Sequence, residues 1–320
     1  MRTFLLLPIL LIILVSCQKS TENKTNNNQR LQDSPYIYIL GTAQDGGHPH
    51  AGCEKKCCKD IWENSNVGHY ATSFALIDPE QKKYYLFEAT PDIKYQLNIL
   101  TKHLGVDYKK VPNGIFITHA HIGHYAGLMH LGKEVMGSKS IPVYAMSQMS
   151  NFLQTNGPWS QLVDLQNIKI RSMRVGFPIK LDKNISVEPF LVPHRDEFSE
   201  TIGFKISFNN KNILFIPDIN KWEIWDNSIK EIVKQVDLAL LDATFYDSTE
   251  LKDKNMSEIP HPFVVESLEL FSNLDAKDKS KIHFIHLNHT NPLLNKDSKE
   301  YKNVTNLGYN IAESGILKNK

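Results

Sequence analysis

Three histidines within six residues, directly after a short apolar run, constrain this chain more than any other feature. The run covers residues 114–117, and His119, His121 and His124 follow it. Such a run predicts a buried strand, and neutral imidazole is a common donor to zinc and related metals. The chain has 13 histidines among 320 residues, so the clustering favours a metal-binding loop over a polar loop that happens to be rich in histidine.

The same stretch resembles the metal loop of the metallo-β-lactamase superfamily, which is usually written H-x-H-x-D-H after a strand. Here it reads His119-x-His121-x-Gly123-His124, so glycine stands where the family has aspartate. In the family that aspartate belongs to the second of two adjacent metal positions. The departure leaves open whether the second position binds metal weakly, or whether a water or another side chain completes it.

Apolar periodicity predicts the rest of the architecture. An amphipathic helix is expected from residue 93 to 104, a second helix from Tyr125 through Leu128 and Leu131 to Val135, and loops over residues 147–164. Strands outnumber the interleaved helices, which predicts an α/β fold of the four-layer αββα sandwich type. The predicted strands cover residues 36–40, 71–77, 84–88, 114–117, 143–145, 168–170, 185–187, 202–206, 213–216, 238–241 and 282–285.

Other ligand-type side chains follow three of the predicted strands. His194 comes after the run 188–191, Asp218 after the strand 213–216, and His286 after the strand 282–285. A single loop histidine is more often solvated than bound to a metal. The order of these residues along the chain nevertheless matches the superfamily, in which the histidine-rich loop is followed by a histidine, an aspartate and a histidine.

The resemblance narrows to the pyrroloquinoline quinone biosynthesis protein B branch, which is similar to cyclic phosphodiesterases and to transfer-RNA 3′-processing nucleases. It covers nearly all of the chain after residue 35 and rests on segments 41–47, 88–93, 124–128, 241–245 and 286–292 and on a cysteine cluster. The resemblance implies a first metal on His119, His121 and His194, a second on His124 and His286, and Asp218 as bridging ligand and catalytic residue. It implies one or two zinc ions, with manganese or iron also compatible, and metal-bound hydroxide as nucleophile.

His261 is the candidate general acid. It precedes the helical run 264–271 and matches a position where the phosphodiesterase relatives carry such a histidine. A positioned imidazole can protonate a leaving oxygen near pH 7, while the alternative is a solvent-exposed histidine at the start of a helix. Asp242, after the strand 238–241, could orient a ligating histidine or cap the next turn.

The cysteines form a second candidate metal site. Cys53, Cys57 and Cys58 share a six-residue window, and three thiolates plus one further ligand complete a tetrahedral zinc site. A local disulfide or free thiols are the alternative. By resemblance to the phosphodiesterases, His289 is the fourth ligand and the zinc is structural. The spacing Cys-x3-Cys-Cys departs from the relatives' Cys-x-Cys-x2-Cys, which puts the middle ligand most in question.

The N-terminal residues predict export. Residues 1–17 combine a basic start, an apolar run shorter than the ~20 residues of a spanning helix, and a lipobox-like ending at Cys17, the expected lipidation site. A cleaved, unlipidated signal is the alternative. The polar residues 18–35 predict a flexible linker, and the resemblance implies that residues 36–320 form one metallo-β-lactamase-fold domain. We therefore expect a lipoprotein on a bacterial membrane, facing the periplasm or the cell surface.

The net charge of the chain limits the kinds of partner that can be expected. With 36 Lys+Arg against 35 Asp+Glu and a net charge of +1, nothing indicates a nucleic-acid surface. The expected partners are a small-molecule substrate, the membrane through the lipid anchor, and a second copy in a homodimer. The first functional hypothesis is a metal-dependent hydrolase acting on a phosphodiester or another small ester. The alternatives are a metal-dependent oxidoreductase or hydroxylase, since histidines with one carboxylate also suit non-haem iron, and a non-catalytic metal-binding lipoprotein.

Overall fold

The computed structural model describes residues 34–63, 68–252 and 254–317. The expected signal at residues 1–17, with Cys17, and residues 18–33 of the expected linker lie outside the described residues. Within the described ranges, every helix is too short or too polar to cross a membrane.

Two seven-stranded sheets form the centre of the described part of the chain. In spatial order, the first sheet contains β14 (Gly315–Ile316), β1 (Tyr36–Gly41), β2 (Ser73–Asp78), β3 (Lys83–Phe87), β4 (Gly114–Phe116), β5 (Ile141–Ala145) and β6 (Ile168–Ser172). The second contains β13 (Asn310–Ile311), β12 (Ile282–Ile285), β11 (Leu238–Asp242), β10 (Lys211–Ile216), β9 (Ile202–Phe208), β8 (Ile185–Leu191) and β7 (Ile179–Asp182).

The parallel parts of both sheets determine where the functional loops emerge. Strands β3 to β6 run parallel to one another, as do β10 to β13. Parallel neighbours deliver the loops at their carboxyl ends to the same sheet edge. The loops after β4, β10 and β12 carry His119, Asp218 and His286, and Asp242 is the last residue of β11.

Helices cover the outer faces of the two sheets. Leu100 and Leu153 pack with Ile115 against the first sheet, and Val233 and Val304 pack in the cluster that covers the second. The described part of the chain therefore forms four layers, with the two sheets inside and the helices outside. The helices are α1 (Lys56–Glu63), α2 (Ile93–Leu104), α3 (Ile122–Tyr125), α4 (Ser147–Thr155), α5 (Trp159–Asp164), α6 (Ile229–Lys234), α7 (Val264–Leu270), α8 (Ala276–Lys281) and α9 (Lys299–Asn306), with 3₁₀ turns at Ala126–Leu131, Trp222–Ile224, Met256–Glu258 and Pro292–Leu294.

Aromatic side chains fill the space between the sheets. Phe87 stacks on Phe116 at 4.9 Å between ring centroids and meets Phe204 of the other sheet edge-on at 5.4 Å. Each ring is fully buried, and such pairs contribute about 0.5–1.5 kcal/mol beyond their area. This packing fixes β3 and β4, whose ends carry site residues, against the second sheet.

The sandwich confirms the predicted fold class, and a strand is found at each predicted position. The second predicted helix is wrong in its bounds. It begins at Ile122 rather than Tyr125, and 3₁₀ turns replace it up to Leu131, after which Gly132 ends the helical path and leaves Val135 62% exposed. Residues 147–164, expected as loops, form α4 and α5. Strands β7, β13 and β14 were not predicted, and β13 and β14 span only two residues each.

Candidate metal centre

The six active-site ligands predicted from the sequence meet at one edge of the sandwich. His119, His121 and His124 follow β4, and the other three follow β8, β10 and β12. The strands therefore bring together residues that are far apart in the sequence. These later residues are His194, Asp218 and His286.

Four of these residues form the first group. Ligand atoms of His119, His121, His194 and Asp218 lie within 4.8 Å of one another. The Oδ2 atom of Asp218 is 3.4 Å from Nε2 of His119 and 3.2 Å from Nε2 of His194. Nε2 of His119 is 2.8 Å from Nδ1 of His121. Three imidazoles and a carboxylate converging in this way match the donor set of a zinc site.

Neighbouring side chains orient the first group. Nδ1 of His119 contacts Oγ1 of Thr118 at 2.9 Å, and Nδ1 of His194 contacts Oδ1 of Asn220 at 3.1 Å. Each contact occupies the outer ring nitrogen and leaves Nε2 toward the centre. Burial, followed by the nearby His124, lowers the pKa of His119 well below its usual value, so that ring is neutral, as a metal ligand must be.

The second group contains a residue that the sequence did not single out. His124 and His286 are joined by Asp45, and the ligand atoms of the three lie within 4.8 Å of one another. Oδ1 of Asp45 is 3.3 Å from Nε2 of His124 and 3.9 Å from Nε2 of His286. Asp218 reaches this group as well, because its Oδ2 is 3.7 Å from Nε2 of His124. The available signal was an aspartate in the glycine-rich turn 41–47 together with the glycine at position 123.

Buried polar residues orient the second group. Oε1 of Glu88, a fully buried residue, lies 3.5 Å from Nδ1 of His124. Oγ1 of Thr244 contacts Nδ1 of His286 at 2.9 Å, and the Thr244 hydroxyl and backbone N–H both donate to Asp242. Asp242 therefore both caps the turn after β11 and supports a predicted ligand through Thr244.

His261 lies against the shared carboxylate. Its Nδ1 is 3.1 Å from Oδ1 of Asp218 and 2.9 Å from Oδ2 of Asp242, and the residue is 5% exposed. The structure therefore excludes the alternative of a solvent-exposed histidine. Burial opposes a charge on this ring, but Asp242 and then Asp218 raise its pKa to about 10.

Unsatisfied buried atoms test whether the site fits a metal. Among the described residues, Nε2 of His124, His194 and His286 and Oδ1 of Asp45 are buried without a hydrogen-bond partner. Buried polar atoms without partners are uncommon in native proteins. Here they belong to the two groups and would be satisfied by coordination, so the residues fit divalent metal.

The cysteine cluster has the geometry of a tetrahedral site. Cys53, Cys57, Cys58 and His289 place their ligand atoms within 4.8 Å of one another. The Sγ atom of Cys57 is 3.8 Å from that of Cys53 and 3.9 Å from that of Cys58, where two zinc–sulfur bonds of about 2.3 Å at the tetrahedral angle would place sulfurs about 3.8 Å apart. The middle ligand, which the unusual spacing had put in question, is therefore positioned with the others.

Backbone hydrogen bonds connect the cysteine cluster to the edge that carries the two histidine groups. The N–H of Gln44 donates to the carbonyl of Leu287 at 2.8 Å, and the N–H of Leu287 donates to the carbonyl of Thr42 at 2.9 Å. Leu287 lies between His286 and His289. The turn that carries Asp45 is thus fastened to the segment that supplies one ligand to each site.

A four-layer αββα sandwich with histidine and aspartate clusters at the loop edge of its parallel strands defines a metallo-β-lactamase-type protein. The chain belongs to this superfamily, because the family model described as beta-lactamase superfamily domain matches residues 83–284.

Similar proteins place the chain near one branch of that superfamily. It is 23% identical over 307 residues to the coenzyme PQQ synthesis protein B of Methylococcus capsulatus, an alignment covering 88% of this chain and 98% of that protein. The crystal structure of Zn(2+)-bound PqqB from Methylobacterium extorquens matches with a TM-score of 0.71 at 22% identity over 88% of this chain and 99% of that one. A diphosphatase from the PhnP family matches with a TM-score of 0.61 at 20% identity over 88% and 95%. The chain is therefore PqqB-like in sequence and fold.

Proposed function

We propose that the protein is a zinc-dependent hydrolase that acts on a phosphodiester or another small ester. The observation that carries this proposal is the position of Asp218, whose Oδ2 lies 3.2 Å from His194 of the first group and 3.7 Å from His124 of the second. A carboxylate shared in this way supports two adjacent metal positions. Two metals about 3.5–4 Å apart are the arrangement used to hold both oxygens of a displacement.

The chain's own residues would prepare the site for this chemistry. His119, His121 and His194 with Asp218 would hold the first metal, and His124 and His286 the second. A bound divalent cation would lower the pKa of coordinated water to about 7 and so supply hydroxide at neutral pH. Thr118 and Asn220 keep the ligating nitrogens pointed inward, which fixes the centre before substrate arrives.

His261 would donate a proton to the leaving group. Asp218 and Asp242 hold its Nδ1, so Nε2 is the nitrogen left to donate. The two carboxylates, acting against burial, raise its pKa to about 10, which keeps the ring protonated at neutral pH. A protonated, positioned imidazole is the form that a general acid needs.

A second candidate function is a PqqB-like metal-dependent oxidoreductase or hydroxylase. The similarity to coenzyme PQQ synthesis proteins over 88% of the chain favours it, and a donor set of histidines with carboxylates also suits non-haem iron. The two candidates differ in their need for an oxidant. Hydrolysis proceeds without dioxygen, whereas a hydroxylase consumes it.

A substrate panel tests the hydrolase proposal. The panel contains bis(p-nitrophenyl) phosphate, p-nitrophenyl acetate and a β-lactam. Zinc-loaded protein should hydrolyse the phosphodiester or the acetate ester, and it should do so anaerobically as well as in air. His121→Ala should abolish the turnover, because His121 belongs to the first group. The matched control is His130→Ala, on the same segment but outside the clusters, and it should keep wild-type turnover. Unchanged turnover in His121→Ala would contradict the proposal.

We further propose that the protein is exported and held at a bacterial membrane by a lipid on Cys17, with a small molecule as substrate. This part of the proposal is supported by the sequence of residues 1–17 alone.

A further inference from the structure

The glycine at position 123 and the aspartate at position 45 occupy the same space. A Cβ atom built on Gly123 would lie 2.1 Å from Oδ1 of Asp45, 2.4 Å from its Cα and 2.8 Å from its Cβ. Non-bonded atoms do not approach so closely. A side chain at position 123 and the present path of Asp45 therefore exclude each other, and the carboxylate of Asp45 lies where an aspartate at 123 would begin.

The turn that carries Asp45 is held in place from several sides. The N–H of Gly47 donates to the carbonyl of Gln44 at 2.8 Å, and Gln44 is itself bonded to Leu287. Asp45 has a φ of +27°, a conformation that side-chain-bearing residues adopt rarely. The turn therefore directs the carboxylate toward His124 and His286 and not into solvent.

The carboxylate is buried where it meets the two histidines. The Asp45 side chain as a whole is 39% exposed, but its Oδ1 atom is buried and has no hydrogen-bond partner. The nearest ring nitrogens are the Nε2 atoms of His124 and His286, at 3.3 and 3.9 Å, and these are also buried without hydrogen-bond partners. Three unsatisfied ligand atoms face one another.

We propose that Asp45 is a ligand of the second active-site metal, and that Gly123 is the residue that admits it. The second position would then have Asp45, His124, His286 and the shared Asp218, so the missing aspartate at 123 is replaced from another loop. The anionic ligand has moved in sequence while its place in space is kept. This inference rests on the proposed metal centre and makes it a two-metal site.

Two substitutions test the exchange from opposite sides. Asp45→Asn keeps the shape of the side chain at position 45 and removes its charge. Gly123→Ala keeps the aspartate at position 45 but displaces it from its present place. Both should reduce the metal bound by the histidine groups from two ions to one, with a loss of more than about 100-fold in affinity at the second position, since even changes behind a ligand cost 10- to 100-fold. Gly46→Ala is the matched control, because the three atoms nearest to its Cβ would all belong to the His50 ring; it should keep both ions.

Metal counting by elemental analysis and cobalt spectroscopy reads the result without any turnover assay. The thiolate-to-cobalt absorption of the cysteine site should persist in all three variants, which also shows that they are folded. If Gly123→Ala fails to fold, the isosteric Asp45→Asn still decides. Two ions retained at unchanged affinity in Asp45→Asn would overturn the inference, and so would a wild-type protein with a single ion on the histidine groups. Wild type with both ions but no hydrolysis would refute the proposed function and leave the role of Asp45 standing.

Discussion

Glu88 offers the sharpest test of how the fold supports the second metal position. This residue is fully buried, and its two oxygens face two different groups. Oε1 lies 3.5 Å from Nδ1 of His124, and Oε2 accepts from the backbone N–H of Thr118 at 3.4 Å. A proton on Nδ1 of His124 is favoured by the carboxylate, which leaves Nε2 free to bind metal.

Glu88→Gln should disturb this arrangement without changing its shape. An amide has one carbonyl oxygen, but both neighbours of Glu88 present N–H groups. If the carbonyl accepts from Thr118, the amide NH2 faces His124 and favours the tautomer whose Nε2 carries the proton. Changes of this kind cost about 10- to 100-fold in metal affinity, or about 1.4–2.7 kcal/mol. Because neither Oε1 of Glu88 nor Nδ1 of His124 has another partner that could compensate, we expect the upper end of that range.

The assay is a zinc competition titration against a chromophoric chelator, with the cysteine site already saturated. Glu197→Gln is the matched control, because Glu197 contacts Nε2 of His121 at 2.8 Å but its side chain is 46% exposed. Water can replace that carboxylate, so the control should weaken binding less than about tenfold and only in the first group. Binding at the second position within about threefold of wild type in Glu88→Gln would refute the tautomer argument.

Three further predictions address other parts of the molecule. Cys58→Ser should affect the melting temperature more strongly than the turnover per bound active-site metal, since a structural zinc contributes folding energy. A melting temperature equal to that of the wild type would contradict a structural role. Burial raises the pKa of Glu250 from 4.5 to about 7 in spite of its hydrogen bond from Thr290. The protonated carboxyl therefore contributes fully to the stability of the folded state below about pH 4.5, and about 3 kcal/mol of that stability is lost as the pH rises through 7. Melting curves of Glu250→Gln and wild type should therefore diverge in favour of the variant between about pH 5 and about pH 8, and parallel curves would count against the shift. Cys17→Ala should move the protein from the detergent phase to the aqueous phase in phase partitioning, and unchanged partitioning would remove the lipid anchor.

The sequence was sufficient to predict the sandwich and to select the histidines that meet at one edge of it. Long apolar runs such as residues 213–216 and 238–241 have one stable place, inside a covered parallel sheet. Ligands that directly follow such strands, such as Asp218 and His286, are then placed by the strands themselves. The family order of these residues added the assignment to two groups.

Asp45 could not be placed in the same way. It follows β1, which runs antiparallel to β2, and a polar residue in a glycine-rich turn is usually part of the turn. Its contact with Gly123 depends on the hydrogen bond from Gln44 to Leu287, which lies in the segment after β12 of the other sheet. The boundary of the helix after His121 failed for a similar reason, because Gly127 lies so close to the carbonyl of Thr90 that a Cβ would be 2.1 Å away. Both features are set by contacts between segments distant in sequence.

The most direct test of the proposed function is to titrate zinc back into chelator-stripped protein while measuring both bound metal and hydrolysis of bis(p-nitrophenyl) phosphate. We expect the stripped protein to be inactive and its turnover to return in proportion to the metal bound by the histidine groups. Turnover that survives complete removal of metal from those groups, or that returns when only the cysteine site is filled, would contradict a metal-dependent hydrolase.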